Sequence, residues 1–284
     1  MPANRSRTLH WRRCLEQIHH RNGAIEIAVA RDLEDEGAHL VWRVRVLGLS
    51  ENELVVEPPV ALGHTIPLDD GVHLVACIAV GQNRWMFATR LLGRVEARRP
   101  TGYCGPALRL ELPATVKRCQ RRDHFRVETA ALNLPHVDAW PLLDPKSVVV
   151  AERMNELQIE PGSASDAIGS LGEDDVMPEV GPRFSARLLN VGGGGLGLDV
   201  APEHHQVLSR HKLFWLRFPL PPELEFPICA STKLAHTHMQ SNQHVYAGLA
   251  FDFTFNAGHQ RFVAAQICRF IERLQHHQQL KRSA

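Results

Sequence analysis

The densest run of fixed positive charge is KRCQRRDHFRV, where Lys117, Arg118, Arg121, Arg122 and Arg126 fall within ten residues. A guanidinium is always charged and presents a planar fork of donors. It can grip phosphate oxygens bidentately, bond the O6/N7 edge of guanine, or stack on a base face. A bland alternative is a solvated basic linker. Against it stands a fixed order: two adjacent arginines, three residues, an arginine, then a strand of alternating apolar residues. Such an order suits an anionic, guanine-bearing ligand.

A second segment is LLNVGGGGLGLDV, residues 188–200. Four consecutive glycines, Gly192 to Gly195, and a fifth at Gly197 permit positive φ and close approach to the backbone. Asn190 falls at the end of a predicted strand, where its amide can both donate and accept. Gly192, Gly194 and Gly197 formally satisfy GxGxxG, but a dinucleotide fold needs a helix at the third glycine. Here the chain continues Leu198-Asp199-Val200-Ala201-Pro202, a strand stub ended by proline. There is no Gly-Lys-Ser/Thr, hence no P-loop.

The elements that must position these groups are mostly strands. Trp11, Leu15 and Ile18 recur at helical spacing and predict a short opening helix, with Gly23 in the left-handed C-cap position. The period then changes to two. Strands are predicted in HLVWRVRVLGL (Trp42, Val44 and Val46 on one face), ENELVVE, VHLVACIAV, RWMFATRLLGRVEA and ALRLELP, with a hairpin loop at Gly81-Gln82-Asn83. More follow at FRVETAALNL, RFSARLLN, GLGLDV, KLFWLRFPL, EFPICASTKLAHTH and HVYAGLAFDFTF, the last two joined by MQSNQ. Val263, Ile267, Phe270, Ile271 and Leu274 form one stripe of a closing amphipathic helix. Residues 141–182 carry nine acidic against two basic residues and read as a partly disordered surface insertion with a helical turn near 151–158. One functional reading of that insertion is an acidic arm competing for the basic segment.

Arg122-xxx-Arg126 before a strand, followed by Asn190-x-x-x-x-Gly195 between two strands, resembles the PilZ domain. Its signature is RxxxR plus D/N-x-S-x-x-G, and YAGLAFDF and the terminal helix also agree. The resemblance covers roughly residues 116–284; the all-β segment in front is similar in architecture to the N-terminal barrel of flagellar-brake proteins. It implies a mainly β fold: two small β-barrel domains in tandem, at 1–115 and 116–284, with a short N-terminal helix, a C-terminal amphipathic helix and the acidic insertion. The implied ligand is cyclic di-GMP, bound at the junction of the domains and changing their orientation. Arg122 and Arg126 would contact phosphate and guanine, Arg121 would favour a stacked pair of ligand molecules, Asn190 would bond a guanine edge, and Gly195 would keep the turn open. Gly192 stands where the family has serine, removing one hydroxyl. The family further implies control of flagellar motility or exopolysaccharide output, with the flagellar motor or the polysaccharide-synthesis machinery as protein partner.

The chain has 284 residues, enough for two domains of ~100–200 residues each. Its net charge of +1 argues against a general nucleic-acid binder, and the basic segment has only Phe125 and His124 as stacking groups, so no DNA or RNA partner is expected. No GxSxG or HExxH occurs, and no enzyme is expected. The six cysteines form no CxxC pair and read as buried free thiols; the dispersed histidines give no chelating pair, so no metal and no cofactor beyond the ligand is expected. No apolar run reaches the ~20 residues of a membrane helix. With MPANRSRTLHW lacking an apolar core, the expectation is a cytoplasmic protein. The competing reading is a degenerate PilZ-like scaffold that binds protein and no nucleotide.

Overall fold

Alternating apolar and polar residues put much of the described chain into antiparallel strands, and the strands close into rings. The structure, a computed structural model, describes residues 11–31, 37–80, 83–99, 101–102, 104–113, 116–119, 133–160, 176–240 and 242–283. The chain divides into two compact units. One comprises Met1–Val60, Thr65–Asn133 and Ile271–Ala284, the other Ala61–His64 and Leu134–Phe270.

The first unit holds β1 (Ala24–Val29), β2 (Val41–Leu49), β3 (Glu53–Val56), β6 (His73–Val80), β7 (Asn83–Arg98), β8 (Cys104–Glu111) and β9 (Lys117–Cys119); the two-residue strands β4 (Val60–Ala61) and β5 (His64–Thr65) lie between β3 and β6 in the chain. Hydrogen bonding runs β1–β6–β7–β8–β3–β2 and returns to β1, all antiparallel, which is a closed six-stranded barrel. β9 pairs with β7 outside that ring. Trp42, Val44 and Val46 are buried and Arg43 is exposed, as the alternation requires. Val80 faces Asn83, which closes the expected hairpin.

Helix α1 (Trp11–His20) buries Trp11, Leu15 and Ile18. Its end departs from expectation: the left-handed residue is Asn22 (φ 52), and Gly23 comes one position later. Gly23 N–H donates to Ile18 O at 2.7 Å and Asn22 N–H to His19 O at 2.9 Å, the paired bonds of a Schellman cap. The thiols depart as well. Cys14, Cys77, Cys104, Cys229 and Cys268 form no disulfide, but of these only Cys77 is buried and Cys104 is exposed.

The second unit holds β10 (His136–Pro141), β11 (Phe184–Val191), β12 (Gly195–Val200), β13 (Leu213–Phe218), β14 (Ile228–Met239) and β15 (Val245–Phe251). The ring β10–β11–β12–β15–β14–β13 also returns to its first strand, giving a second antiparallel barrel. Its helices are α2 (Val148–Ile159), the short α3 (His205–Arg210) and the first part of α4 (Ala257–Ser283). In α4, Val263, Ile267, Phe270, Ile271 and Leu274 are all buried, the stripe read from the sequence. The last part of α4 clusters with the first unit. There Gln275 accepts from Asp69 N–H at 2.7 Å and donates to Pro67 O at 3.1 Å, and Gln278 donates to Ala30 O at 2.7 Å.

The acidic stretch is more ordered than its composition predicts. It contains the twelve-residue helix α2, where a helical turn was expected; residues 161–175 lie outside the described residues. The reason is packing. Val148 and Ala151 sit against Leu142 and Trp215. Asn155 donates to Pro227 O at 2.9 Å and accepts from Cys229 N–H at 3.1 Å, as a peptide group would.

One turn earlier on α2, Glu152 is fully buried and its Oε2 has no partner among the described residues. Ser231 Oγ lies 2.9 Å from Glu152 Oε1 and 2.6 Å from Asp252 O, but a hydroxyl has one proton and donates to one of them. A neutral Glu152 supplies the missing proton. Close by, the buried His259 places Nδ1 3.0 Å from Glu156 Oε1 and Nε2 2.9 Å from Cys229 O. Burial pushes the Glu152 carboxyl up, and the His259 ring opposes this more weakly.

A carboxyl raised in the folded state lends stability below its unfolded pKa and loses it as pH rises through the folded one. Glu152→Gln keeps a neutral group at every pH. Sparing a buried ionised or unpaired carboxyl ~1–3 kcal/mol at about 2–4 °C per kcal/mol, it should melt several degrees above the natural chain at pH 8 and close to it at pH 5. Equal shifts at both pH values, read by calorimetry, would remove Glu152 ionisation as the cause.

Candidate functional site

β12 runs through the second barrel with Leu196, Leu198 and Val200 turned to the core and Gly195, Gly197 and Asp199 on the other face. β15 repeats the pattern: Val245, Ala247 and Leu249 point in, and Tyr246, Gly248 and Ala250 lie opposite Asp199, Gly197 and Gly195 in turn. The outer face is therefore floored by glycine where the two strands meet.

Two bulges bring polar side chains onto this face. In β11, Leu188 pairs with Leu198 and Asn190 pairs with Gly197, so Leu189 is the extra residue. Leu188 is buried, and strict alternation would bury Asn190 with it; the bulge turns Asn190 outward, where it is half-buried. In β14, Leu234 pairs with Leu249 and His236 with Gly248, so Ala235 is extra and His236 is likewise turned out. Asn190, Gly197, Gly248 and His236 thus form one row across four strands. The neighbouring row holds Gly195, Ala250 and the exposed Lys233.

Of the residues predicted for ligand binding, Asn190, Gly192 and Gly195 are brought together at one corner, and Arg121, Arg122 and Arg126 lie outside the described residues. The corner is a tight bend in which Gly192 N–H donates to Gly195 O at 2.8 Å. Gly194 O accepts from Phe251 N–H at 3.0 Å, and Gly193 O accepts from Gly63 N–H at 3.0 Å, so both exposed peptides are fixed. An open cleft of about 610 Å³ starts here, lined by Gly193, Gly194, Phe251, Asp252, Thr254 and Gln260.

The glycines differ in their reasons. Left-handed φ is found at Gly63, Gly71, Gly93 and Gly102, and not in the bend, so the expected use of positive φ does not apply there. Gly195 is required by close approach, because a Cβ would run into the Leu249 carbonyl oxygen. At Gly197 a Cβ would stand 2.5 Å from the Tyr246 hydroxyl, and at Gly248 it would strike the His236 ring. Gly192 is open: the nearest atom to a Cβ would be Gly195 O at 3.8 Å. A serine fits at that position.

Four residues absent from the predicted site share this face. The Tyr246 ring stacks on His238 (centroids 4.9 Å, 25° between planes) and on His236 (5.7 Å, 28°), and Lys233 stands one row away. Asp199 fastens the β14–β15 hairpin to β12, accepting from Gln240 Nε2 at 3.1 Å and facing His244 Nδ1 at 3.1 Å. Sequence spacing gives no signal for the aromatic group, since the β14 bulge breaks the alternation that would locate it. No group of three metal-binding side chains occurs among the described residues.

Residues 22–103 match the family model PilZNR, described as flagellar protein YcgR. The likeness of the N-terminal half to flagellar-brake proteins, drawn from architecture, thus holds in sequence over those residues. No curated protein sequence matches. Among solved structures, the Bacillus subtilis inhibitor of motility MotI/DgrA is 17% identical, covering 89% of this chain and 96% of its own, with a TM-score of 0.31. YcgR of Escherichia coli in complex with c-di-GMP is 13% identical over 97% and 94%, TM-score 0.31. The K. pneumonia MrkH–c-di-GMP complex is 11% identical over 97% and 96%, TM-score 0.28.

Gly195→Ala should destabilise the second barrel by about 1–3 kcal/mol, the range for overpacking against fixed backbone. Gly192→Ala should stay within about 0.5 kcal/mol of the natural chain. Denaturant midpoints for the two variants check the assignment, and a neutral Gly195→Ala would overturn it.

Proposed function

We propose that this chain is a non-enzymatic receptor for cyclic di-GMP that acts on motility or exopolysaccharide output. The observation that carries the reading is the corner at 190–195: an outward asparagine one bulge from the core, a glycine that steric contact makes obligatory, and an open bend between them. These are the positions at which the chain resembles the PilZ signature, and the RxxxR half precedes them in the expected order. The match of residues 22–103 to a flagellar-protein model supports the motility branch.

The chemistry follows from the ligand. Cyclic di-GMP has two phosphodiesters and two guanines. Arg121, Arg122 and Arg126 supply fixed charge and planar donor forks for phosphate and the guanine O6/N7 edge. Asn190 supplies an amide for a second base edge, and the bend lets the ligand approach the backbone. Binding gathers the arginine segment, which links the barrels in sequence, onto the 190–195 corner. The ligand then favours whichever arrangement of the barrels permits that contact, by its differential affinity for it. A flagellar motor or polysaccharide-synthesis component is the partner class this output requires. No described helix is long and apolar enough to cross a membrane.

Gly192 favours a second reading. Without the serine hydroxyl one hydrogen bond is lost, ~0.5–1.5 kcal/mol net or ~1.5–3 if charge-assisted, and a chain that has lost more than this is a protein-binding scaffold.

Titration calorimetry with cyclic di-GMP separates the two. The receptor reading expects saturable binding by the natural chain, loss of binding in Arg126→Ala, and no change in Asp174→Ala. It expects Gly192→Ser to tighten binding by up to about a hundredfold. No binding at tens of micromolar by the natural chain, with binding appearing only in Gly192→Ser, would establish the scaffold.

A further inference from the structure

We propose that Tyr246 and His236 form a stacking shelf for a guanine base of the ligand, whose edge Asn190 then reads; this rests on the receptor reading above. Both rings lie over glycine. The Tyr246 hydroxyl stands 2.5 Å from where a Gly197 Cβ would be, so the ring reaches across β12 toward β11, and the His236 ring covers Gly248. With no Cβ beneath them, the rings lie close against the sheet and near-parallel, 28° between their planes with centroids 5.7 Å apart. The His238 and Tyr246 ring centroids are 4.9 Å apart, with 25° between the planes.

The position of the shelf fixes what it can hold. Asn190 pairs directly with Gly197, one strand spacing (about 4.8 Å) away. A planar ring system stacked on Tyr246 therefore presents its edge to the Asn190 amide, whose side chain bonds no described residue and can both donate and accept. That pairing of an aromatic face with an amide suits a purine carrying adjacent donors and acceptors. Lys233, exposed on the next row beside Gly195 and Ala250, offers a cation to a phosphate attached to that base. A purely structural reason for the rings is weak: His236 and His238 are exposed and bury little on the barrel.

Base–aromatic stacking contributes ~1–3 kcal/mol per base, a factor of about 5- to 150-fold in affinity. Calorimetry with cyclic di-GMP on the full chain should give Tyr246→Ala and His236→Ala dissociation constants raised by about that factor. Tyr246→Phe, which keeps the ring, should stay within about threefold of the natural chain, and all variants should melt as folded proteins. His236 is exposed, so His236→Ala keeps the test sound if Tyr246→Ala unfolds. Binding by the natural chain with both alanine variants unchanged would overturn the shelf and leave the receptor standing. Tyr246→Phe as weak as Tyr246→Ala would assign the effect to the hydroxyl and likewise overturn stacking. Absence of binding by the natural chain would overturn both.

Discussion

The outer face of the second barrel depends on a steric constraint: β12 and β15 must meet without side chains between them. Gly195 admits the Leu249 carbonyl, Gly197 admits the Tyr246 ring, and Gly248 admits the His236 ring. Any Cβ at these points would lift a strand or a ring off the sheet. The bend, the aromatic group and the outward asparagine all take their positions from this bare strip. The glycines serve close approach, and their backbones stay out of the left-handed region.

Bulges do the complementary work. A pleated strand alternates strictly, so a residue two places from a core leucine belongs in the core. Asn190 follows Leu188 by two, and His236 follows Leu234 by two, yet neither enters the core, because each strand carries one extra residue at that point. A single inserted residue re-aims a side chain at little cost elsewhere in the ladder. Two such insertions on strands flanking the glycine strip place an amide and an imidazole at its two ends.

This explains what the sequence could disclose. Strands such as Val41–Leu49 and Cys104–Glu111 were legible because alternation and burial coincide along them. The glycine run was legible as a bend, and Asn190 as a site residue, only through the PilZ resemblance. β1 and β10 escaped the reading. The run AIEIAV of β1 is apolar on nearly every residue, and β10 ends at Pro141 beside an acidic stretch. Helix α2 escaped in part because composition marked its surroundings as a loop, while Asn155 and Ala151 tie it to the barrel through long-range contacts that no local pattern reveals. Tyr246, His236 and Lys233 become neighbours of Asn190 only through register, which depends on the bulges.

Ring closure has a consequence of its own. In each barrel every one of the six strands is hydrogen-bonded on both sides. Where a described strand is paired on both sides it presents no dangling row of amides and carbonyls to template a foreign β-segment, the usual route to fibrils and strand exchange; in β14, residues 235–239 run past the pairing with β13 and keep β15 alone as ladder partner. Edge-to-edge association through the described ring strands is therefore confined to such overhangs, and the β14 overhang is short and carries exposed polar side chains.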